Sequence, residues 1–203
     1  MTGRATRKPP ALRSDRIRVA LVAPGDAAAL RDFHRRNRAY LRPWMPPTAA
    51  DFETTGYWRR WTAAAPVLFA EDRAVRLVIR ERATPDGPVL GQVNLSNIVR
   101  GAFQAAHLGY HLDHAAEGHG MMSEALRLVV DHAFGPLSLH RLMANYVIGN
   151  ARSAKVLARL GFRVEGVAKS YLFIGGAWRD HVLTALVDPT GRPPPPPYTK
   201  GHR

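Results

Sequence analysis

Residues 108–126 read LGYHLDHAAEGHGMMSEAL, and this stretch decides the fold. Polar and apolar residues alternate up to Leu112, which predicts a strand, whereas the apolar residues from Met121 onward follow the spacing of a helix. The loop between them contains Gly118 and Gly120, which let the backbone approach a ligand closely. Because the loop opens a helix, its unpaired backbone N–H groups lie at the positive end of a helix dipole and suit a phosphate group. We therefore predict a phosphate-binding strand–loop–helix unit.

The segments on either side of this unit predict a mixed α/β domain with a mostly antiparallel sheet. Alternating or apolar runs bounded by turn residues predict strands at Ile17–Leu21, Val75–Ile79, Val89–Leu95, Gln104–Leu112, Arg141–Ile148, Phe162–Ile174 and Ala177–Val187. Helical spacing and capping residues predict helices from Pro24 to about Arg38, after an N-cap at Asp51, from Met121 to Phe134, and from a cap at Asn150 to Leu160. The last two strands meet at Gly175-Gly176, a dipeptide typical of a hairpin turn.

Length and composition fit one domain, since the chain has 203 residues, of which 46% are hydrophobic. We expect a basic flexible arm at residues 1–13, a folded domain at residues 14–189 and a proline-rich basic tail at residues 190–203. No apolar run reaches the length of a membrane span, and no signal-peptide core follows the basic N-terminus. We therefore expect a soluble cytoplasmic protein without membrane contact. The chain contains no cysteine, which excludes a disulfide framework and a thiol nucleophile.

The positive charge is concentrated at the two ends of the chain. Lys and Arg exceed Asp and Glu by 13, and the terminal segments contain Arg4, Arg7, Lys8, Arg13, Arg192, Lys200 and Arg203 without any acid. Such tails favour solubility, and they also suit a weak contact with RNA or with a ribosome surface. Both interpretations stay open, although the sequence shows no nucleic-acid-binding module with its characteristic aromatic residues.

An ordered set of motifs extends over roughly residues 14–189. The set comprises YLRPW at 40–44, NIVRG at 97–101, LGY at 108–110, EGHGMMSEAL at 117–126, HRLMANY at 140–146, NARS at 150–153, ARLGF at 158–162 and the segment 171–186. This order resembles the GNAT-superfamily acetyltransferases, in particular the RimJ/RimL branch. The resemblance implies a GNAT fold of the α/β (α+β) class, in which helices flank a mixed, mostly antiparallel sheet and two splayed central strands hold acetyl-CoA.

The resemblance also implies an activity. We expect an acetyl-CoA-dependent Nα-acetyltransferase that modifies a protein N-terminus, with the N-terminal alanine of a ribosomal protein as the expected acceptor. Two alternatives stay open: an acetyltransferase for a small amine, such as an antibiotic or a polyamine, and a ribosome-associated binding module on the same fold. The chain is expected to be a monomer or a dimer. No metal is expected, because the histidines at 111, 114 and 119 lack the regular spacing of a zinc site.

Site residues follow from the resemblance position by position. Contacts with acetyl-CoA are expected at Tyr110, His111, Leu112, Glu117, Gly118, His119, Gly120, Met121, Met122, Asn150 and Ser153. A backbone N–H near residues 110–112 is expected to stabilise the oxyanion, and the Ser153 hydroxyl is expected to serve the departing sulfur. Contacts with the acceptor are expected at Trp44, Asn97, Arg100 and Tyr171. Ser153 and Trp44 also allow structural interpretations, as a helix-start residue and as a core residue.

Three positions depart from the pattern of the superfamily. Glu117 places a carboxylate where the phosphate loop usually begins with Gln or Arg, and Met122 stands where the loop usually ends with Gly or Ala. Leu157 occupies the position of a tyrosine that many members use as the acid for the leaving thiolate. The backbone N–H groups of the loop do not depend on these side chains, so the phosphate site is still expected.

The general base is left unassigned. An N-terminal α-amine has a reference pKa of about 7.7–8.0, against about 10.4 for lysine, so it needs only mild help to lose a proton. Glu124 and Glu165 are candidate carboxylates, and each also has a structural interpretation, on a helix face and in a strand.

Overall fold

The computed structural model describes residues 8–193. The strands are β1 (Ala11–Arg13), β2 (Ile17–Leu21), β3 (Val75–Glu81), β4 (Gly91–Val99), β5 (Ala105–Leu112), β6 (Arg141–Met143), β7 (Tyr146–Val147), β8 (Arg163–Ile174) and β9 (Ala177–Val187). The helices are α1 (Ala27–Arg36), α2 (Arg38–Leu41), α3 (Thr55–Ala70), α4 (Met121–Phe134) and α5 (Ala151–Arg159). Within residues 8–193 no helix combines the length and the apolar character that crossing a membrane requires. Most of the predicted arm and tail, including the prolines at 194–197, lies outside the described residues.

All of these strands belong to one mixed sheet, which confirms the predicted fold class. Their order is β1-β2-β3-β4-β5-β6-β9-β7, and β8 pairs with β9. Neighbouring strands are antiparallel except for β5 and β6, which run parallel. A parallel pair needs a crossover connection, and α4 supplies it. The predicted strand–loop–helix unit therefore lies in the middle of the sheet.

β5 and β6 stay together for only three residues. Their pairing joins Ala105, Ala106 and His107 to the three residues of β6. Beyond His107, β5 pairs only with β4, while β7 pairs only with β9. The two central strands therefore diverge, as expected, and leave a wedge-shaped gap in the sheet.

The strand predicted at Arg141–Ile148 is interrupted between β6 and β7. The N–H of Thr184 on β9 donates to Asn145 Oδ1 at 3.2 Å, and its hydroxyl donates to the Ala144 carbonyl. The Ala144 N–H in turn donates to the Thr184 carbonyl at 3.0 Å. These contacts replace regular strand pairing at two residues. They involve a partner distant in sequence, so the local pattern does not reveal the interruption.

Two predicted boundaries differ from the structure. The N-cap of α3 is Thr54, whose Oγ1 accepts the Tyr57 N–H at 3.1 Å, and not Asp51. Asp51 lies three residues earlier, where its carbonyl accepts the Thr54 hydroxyl at 2.7 Å. Residues 11–13, which were assigned to the flexible arm, form β1 and pair with β2. The folded domain therefore begins before residue 14.

Hydrophobic residues cover both faces of the sheet. One buried cluster joins the sheet to α4 and α5 and includes Leu126 and Leu157. A second cluster joins the sheet to α1 and α3 and includes Phe33 and Trp58. Because Leu126 and its neighbours hold α4 against the sheet, the glycine loop at the start of α4 is fixed at the mouth of the gap.

Candidate active site

The gap between β5 and β7 opens into a cavity of about 380 Å³, which we call the wedge cavity. It is lined by Tyr40, Leu41, Trp44, Tyr110, His111, Leu112, Glu117, Gly118, Gly120, Met121, Met122, Ser123, Asn150, Arg152, Ser153, Lys155, Val156 and Arg159. The structure thus brings together every residue that was expected to contact acetyl-CoA except His119. These residues come from β5, the glycine loop, α4 and α5.

The glycine loop presents backbone N–H groups to the wedge cavity. Gly118 and Gly120 adopt the left-handed conformation, with φ angles of 80° and 75°. A Cβ at Gly118 would meet no heavy atom within 4 Å, so the backbone conformation and not the available space requires glycine there. The first bond of α4 runs from the Glu124 N–H to the Gly120 carbonyl at 3.1 Å. The three residues between them line the cavity and have no intrahelical acceptor, an arrangement that suits an anion.

His119 belongs to the same loop but does not line the cavity. Its side chain is exposed, and its carbonyl accepts a hydrogen bond from Arg16 Nη1 at 3.0 Å. Arg16 also pairs with Glu124, so it ties the loop and α4 to the start of β2. His119 was expected to contribute through the backbone N–H groups of the loop, so the exposure of its side chain does not bear on that contact, which stays a prediction.

α5 contributes a cap and a basic face to the cavity. Asn150 Oδ1 accepts the Ser153 N–H at 3.1 Å, which confirms Asn150 as the N-cap of the helix. Arg152, Lys155 and Arg159 line the cavity. They are spaced by three and four residues, which places them on one side of a helix. These cations were missed in the sequence-based prediction, although their spacing is visible in the sequence.

Glu117 is held in a polar cluster that balances its charge. Its carboxylate accepts a hydrogen bond from the Tyr40 hydroxyl and pairs with Arg152 Nη1 at 3.1 Å and with His114 Nδ1 at 3.5 Å. Burial, followed by the contact with Glu117, raises the pKa of Tyr40 to about 12. The Arg152 guanidinium also lies 4.8 Å from the centre of the Tyr40 ring. An acid at this loop position is therefore compatible with an anion in the cavity.

Tyr110 and Ser153 form a hydrogen-bonded pair across the wedge cavity. The Tyr110 hydroxyl lies 2.6 Å from Ser153 Oγ. Burial raises the pKa of Tyr110 to about 12, so the phenol keeps its proton at neutral pH. The pair places two hydroxyl groups, one from β5 and one from α5, at the point where the central strands have separated.

A second cavity, of about 370 Å³, lies beside the first on the other side of α2. We call it the arginine cavity, and it is lined by Arg31, His34, Arg35, Arg38, Leu41, Arg42, Met45, Pro46, Pro47, Thr48, Phe52, Glu53, Phe173, Gly175 and Gly176. Leu41 lines both cavities. Residues of the segment at 40–47 and of the tip of the β8–β9 hairpin both border it.

Two histidine rings lie between the cavities. His34 lines the arginine cavity, His111 lines the wedge cavity, and their ring centres are 6.3 Å apart. The His34 ring stacks on Trp58 at 4.6 Å, and its Nε2 lies 2.5 Å from Gln92 Oε1, to which it donates. Burial lowers the pKa of each histidine to about 4, so both are neutral at pH 7. His34 was missed in the sequence-based prediction, because its spacing marks only a buried helix face.

The comparison with protein families agrees with this geometry. The acetyltransferase (GNAT) domain matches residues 16–163 of the chain. The chain belongs to the GNAT family.

Several GNAT relatives resemble the chain over most of its length. The [ribosomal protein uS5]-alanine N-acetyltransferase of Escherichia coli K12 is 40% identical over 183 residues, which cover 90% of this chain and 93% of that protein. The ribosomal-protein-S5-alanine acetyltransferase of Vibrio fischeri has a TM-score of 0.86 at 36% identity, covering 91% of this chain and 100% of that one. Mycobacterium smegmatis RimJ, solved in complex with CoA-disulfide, has a TM-score of 0.80 at 30% identity, covering 92% and 89%. The expected GNAT fold is thereby confirmed.

The four residues that were expected to contact the acceptor of this GNAT protein lie in different places. Trp44 lines the wedge cavity and is half-buried, so it is not a simple core residue. Tyr171 on β8 lines neither cavity, and its hydroxyl accepts a hydrogen bond from Asn145 Nδ2 at 3.4 Å. Asn97 is exposed at a bulge of β4, with a φ of 50°.

Arg100 is held by structural contacts and lines neither of the two cavities. Its guanidinium donates to both carboxylate oxygens of Asp72 at 2.6 Å and to the Leu137 carbonyl at 2.8 Å. Arg100 Nη1 also donates to Gln104 Oε1 at 3.1 Å. The side chain thus joins β4 to the end of α3 and to the loop after α4, and its expected contact with the acceptor stays a prediction.

The candidate carboxylate bases and Leu157 also have structural roles. Glu124 accepts hydrogen bonds from Ser14 and Arg16, and Glu165 pairs with Arg141. Neither carboxylate lines either of the two cavities. Leu157 is buried in the core, whereas Ser153 and Tyr110, which carry hydroxyl groups, line the wedge cavity. Among residues 8–193, no group of three or more potential ligands is placed to hold a metal ion.

Proposed function

We propose that this GNAT protein is an Nα-acetyltransferase that transfers the acetyl group of acetyl-CoA to the N-terminal alanine of a ribosomal protein. The observation that carries the proposal is the wedge cavity, which joins an anion-binding helix N-terminus to the Tyr110–Ser153 pair within one lining. The acceptor class is supported by the similarity to the Escherichia coli enzyme named for the alanine of uS5, which spans 90% of this chain.

The lining of the wedge cavity fits the parts of acetyl-CoA. The loop glycines and the free N–H groups at the start of α4 suit the pyrophosphate, and Lys155 and Arg159 add cations for the phosphates. Asn150 and the open edge of β5 offer polar groups to the amides of the pantetheine arm. Acetyl-CoA supplies a thioester with a thiolate leaving group. No thiol of the chain takes part, since the sequence contains no cysteine.

In this proposal, Ser153 protonates the departing sulfur with the help of Tyr110. Because the phenol stays protonated at neutral pH, it can donate to Ser153 Oγ and leave the Ser153 O–H free to donate to the sulfur. A backbone N–H on the open edge of β5 can stabilise the negative charge that develops on the acetyl oxygen. Such contacts strengthen as charge develops, so they favour the transition state over the bound substrate.

The acceptor amine needs little assistance. An α-amine with a reference pKa of about 7.7–8.0 is partly neutral at pH 7, whereas a lysine amine at about 10.4 is almost fully charged. His111 lines the wedge cavity, but burial lowers its pKa to about 4 and makes its ring a weak proton acceptor. The absence of a free carboxylate base from the two cavity linings is therefore compatible with an N-terminal acceptor.

A peptide experiment tests this function. We expect acetylation of the α-amine of an alanine-initiated peptide, with a rate that rises between about pH 6.5 and 8.5 as that amine loses its proton. The control is the same peptide with a blocked α-amine and a free internal lysine, which should stay unmodified in mass-spectrometric mapping. Efficient acetylation of the lysine, or equal activity on small amines alone, contradicts the proposal.

A further inference from the structure

The arginine cavity has an unbalanced positive charge. Four arginines line it, at 31, 35, 38 and 42, and Glu53 is the only acid in its lining. Arg38 pairs with Glu53 at 2.7 Å, and Arg31 pairs with Asp32 at 2.7 Å. Arg35 and Arg42 are exposed and make no ion pair with any residue in the range 8–193. Two guanidinium groups are therefore available to a ligand.

The walls of the arginine cavity are fixed by backbone contacts. The Gly175 N–H at the hairpin tip donates to the Met45 carbonyl at 3.0 Å. A Cβ at Gly175 would lie 2.9 Å from the Pro43 carbonyl oxygen, so the two segments approach each other as closely as glycine allows. Leu41, Phe52 and Phe173 add apolar surface to the lining. The two free arginines thus border a built cavity and do not merely lie on an open face.

The two cavities are close enough to share one extended peptide. The rings of His34 and His111, one in each lining, have centres 6.3 Å apart, and Leu41 lines both cavities. An extended chain advances roughly 3.3–3.6 Å per residue, so about two residues span this distance. An acceptor whose α-amine lies in the wedge cavity can therefore reach the arginine cavity with the residues that follow.

We propose that the arginine cavity selects acceptor peptides that carry a carboxylate within their first five residues, an inference that rests on the proposed function. Arginine binds carboxylates through paired N–H groups, which gives both orientation and charge complementarity. The same charges repel a cationic acceptor, so they act against a polyamine or a lysine-rich N-terminus. Arg35 and Arg42 are the residues that carry this selection.

A set of peptides tests the selection. Three alanine-initiated peptides of equal length carry Glu, Gln or Lys at positions three and four, and kcat/KM is measured for each. We expect the Glu peptide to exceed the Gln peptide by about fivefold, as for exposed charge pairs, and the Lys peptide to be the poorest. The preference should shrink at high salt, because exposed charges are screened. Equal kcat/KM values for the three peptides overturn the inference.

Variants identify the residues. The double variant Arg35→Glu with Arg42→Glu should reverse the order, so that the Lys peptide becomes the best acceptor. The matched control is Arg127→Glu, an exposed position on α4 outside both cavities, which should keep the wild-type order. If the charge reversal prevents folding, Arg35→Gln with Arg42→Gln should bring the ratio of Glu to Gln peptides to one. An unchanged order in a folded double variant overturns the inference.

The outcomes separate this inference from the proposed function. If the wild-type chain acetylates the α-amine of the Gln peptide without any charge preference, the proposed function stands and the selection fails. If it acetylates none of the three peptides, the proposed function fails and the inference fails with it. A double variant that loses binding to a single-stranded RNA oligonucleotide but keeps its preference for the Glu peptide assigns the arginines to RNA and overturns the selection.

Discussion

At the scale of single residues, Ser153 makes two contacts, one through its backbone and one through its hydroxyl group. Its N–H donates to Asn150 and caps α5, whereas its hydroxyl lies 2.6 Å from the Tyr110 hydroxyl and is not used by the helix. Ser153 could be predicted from its motif, because that motif is local. Its partner could not, because Tyr110 is 43 residues away and only the fold brings them together.

Replacing Ser153 tests its chemical role. Ser153→Ala should lower kcat by roughly tenfold or more and leave the dissociation constant of acetyl-CoA nearly unchanged, because the lost hydroxyl serves the departing sulfur. Tyr110→Phe should lower kcat less, since the phenol acts through Ser153. Steady-state kinetics and calorimetry measure the two quantities. Unchanged kcat with weakened binding makes Ser153 a ligand contact and not an acid.

Gly120 belongs to the loop that is proposed to bind the pyrophosphate. Gly120→Val should raise the dissociation constant of acetyl-CoA by about tenfold, because a β-branched residue is strained at a φ of 75° and the turn that presents the N–H groups must shift. The control is Gly25→Val, at an exposed position with open space around it and without a positive φ. If calorimetry shows that the folded Gly120 variant binds acetyl-CoA with unchanged affinity, the pyrophosphate is not bound by this loop.

At the scale of elements, local patterns predicted what local interactions build. The alternation of polar and apolar residues predicted β2 and the strands of the β8–β9 hairpin, and Asn150 predicted the start of α5. The interruption between β6 and β7 was missed because Thr184 on a distant strand causes it. The start of α3 was misplaced because Asp51 and Thr54 are both good capping residues, three positions apart, and the sequence alone does not choose between them.

The Gly175-Gly176 turn tests how an element is docked. Gly175→Ala should lower the free energy of unfolding by about 1–3 kcal/mol more than Gly176→Ala does. Both positions have a positive φ, but only the Cβ at Gly175 would meet the Pro43 carbonyl, at 2.9 Å, while Gly176 faces open space. Urea denaturation of the two variants measures the difference. Equal losses contradict a close contact between the hairpin tip and the segment after α2.

At the scale of the whole molecule, two cavities meet at a pair of histidine rings, and this arrangement could not be predicted. His111 belonged to the motif of β5, but His34 gave no functional signal, since it shares a helix face with core residues. From the sequence, the charge of Glu117 also appeared incompatible with a bound anion. In the structure, Tyr40 and Arg152 contact the Glu117 carboxylate and balance its charge. Contacts between α1, α2 and the central strands determine both the position of His34 and the environment of Glu117.

The two histidines link the stability of the fold to pH. Their pKa of about 4 in the folded chain is below the ordinary 6.5, so the unfolded chain binds more protons between these values. The two histidines make their full contribution to the free energy of unfolding above pH 6.5. This contribution should fall as the pH drops toward 4. Urea denaturation across this range should show the fall, and His34→Gln should flatten it. His119→Gln, at an exposed position, should not; an equally steep fall in the His34 variant contradicts the assignment.

The one-sided pairing of β5 beyond His107 has a consequence for amide hydrogen exchange. Central strands are normally the slowest part of a sheet to exchange with deuterated solvent. Between Leu108 and Leu112, however, alternate amides point toward the wedge and have no strand acceptor in the described part of the chain. The free protein should therefore carry a fast-exchanging patch in the middle of its sheet. Filling the wedge with a pantetheine arm slows that patch, which makes a few β5 amides a direct reporter of occupancy, independent of turnover.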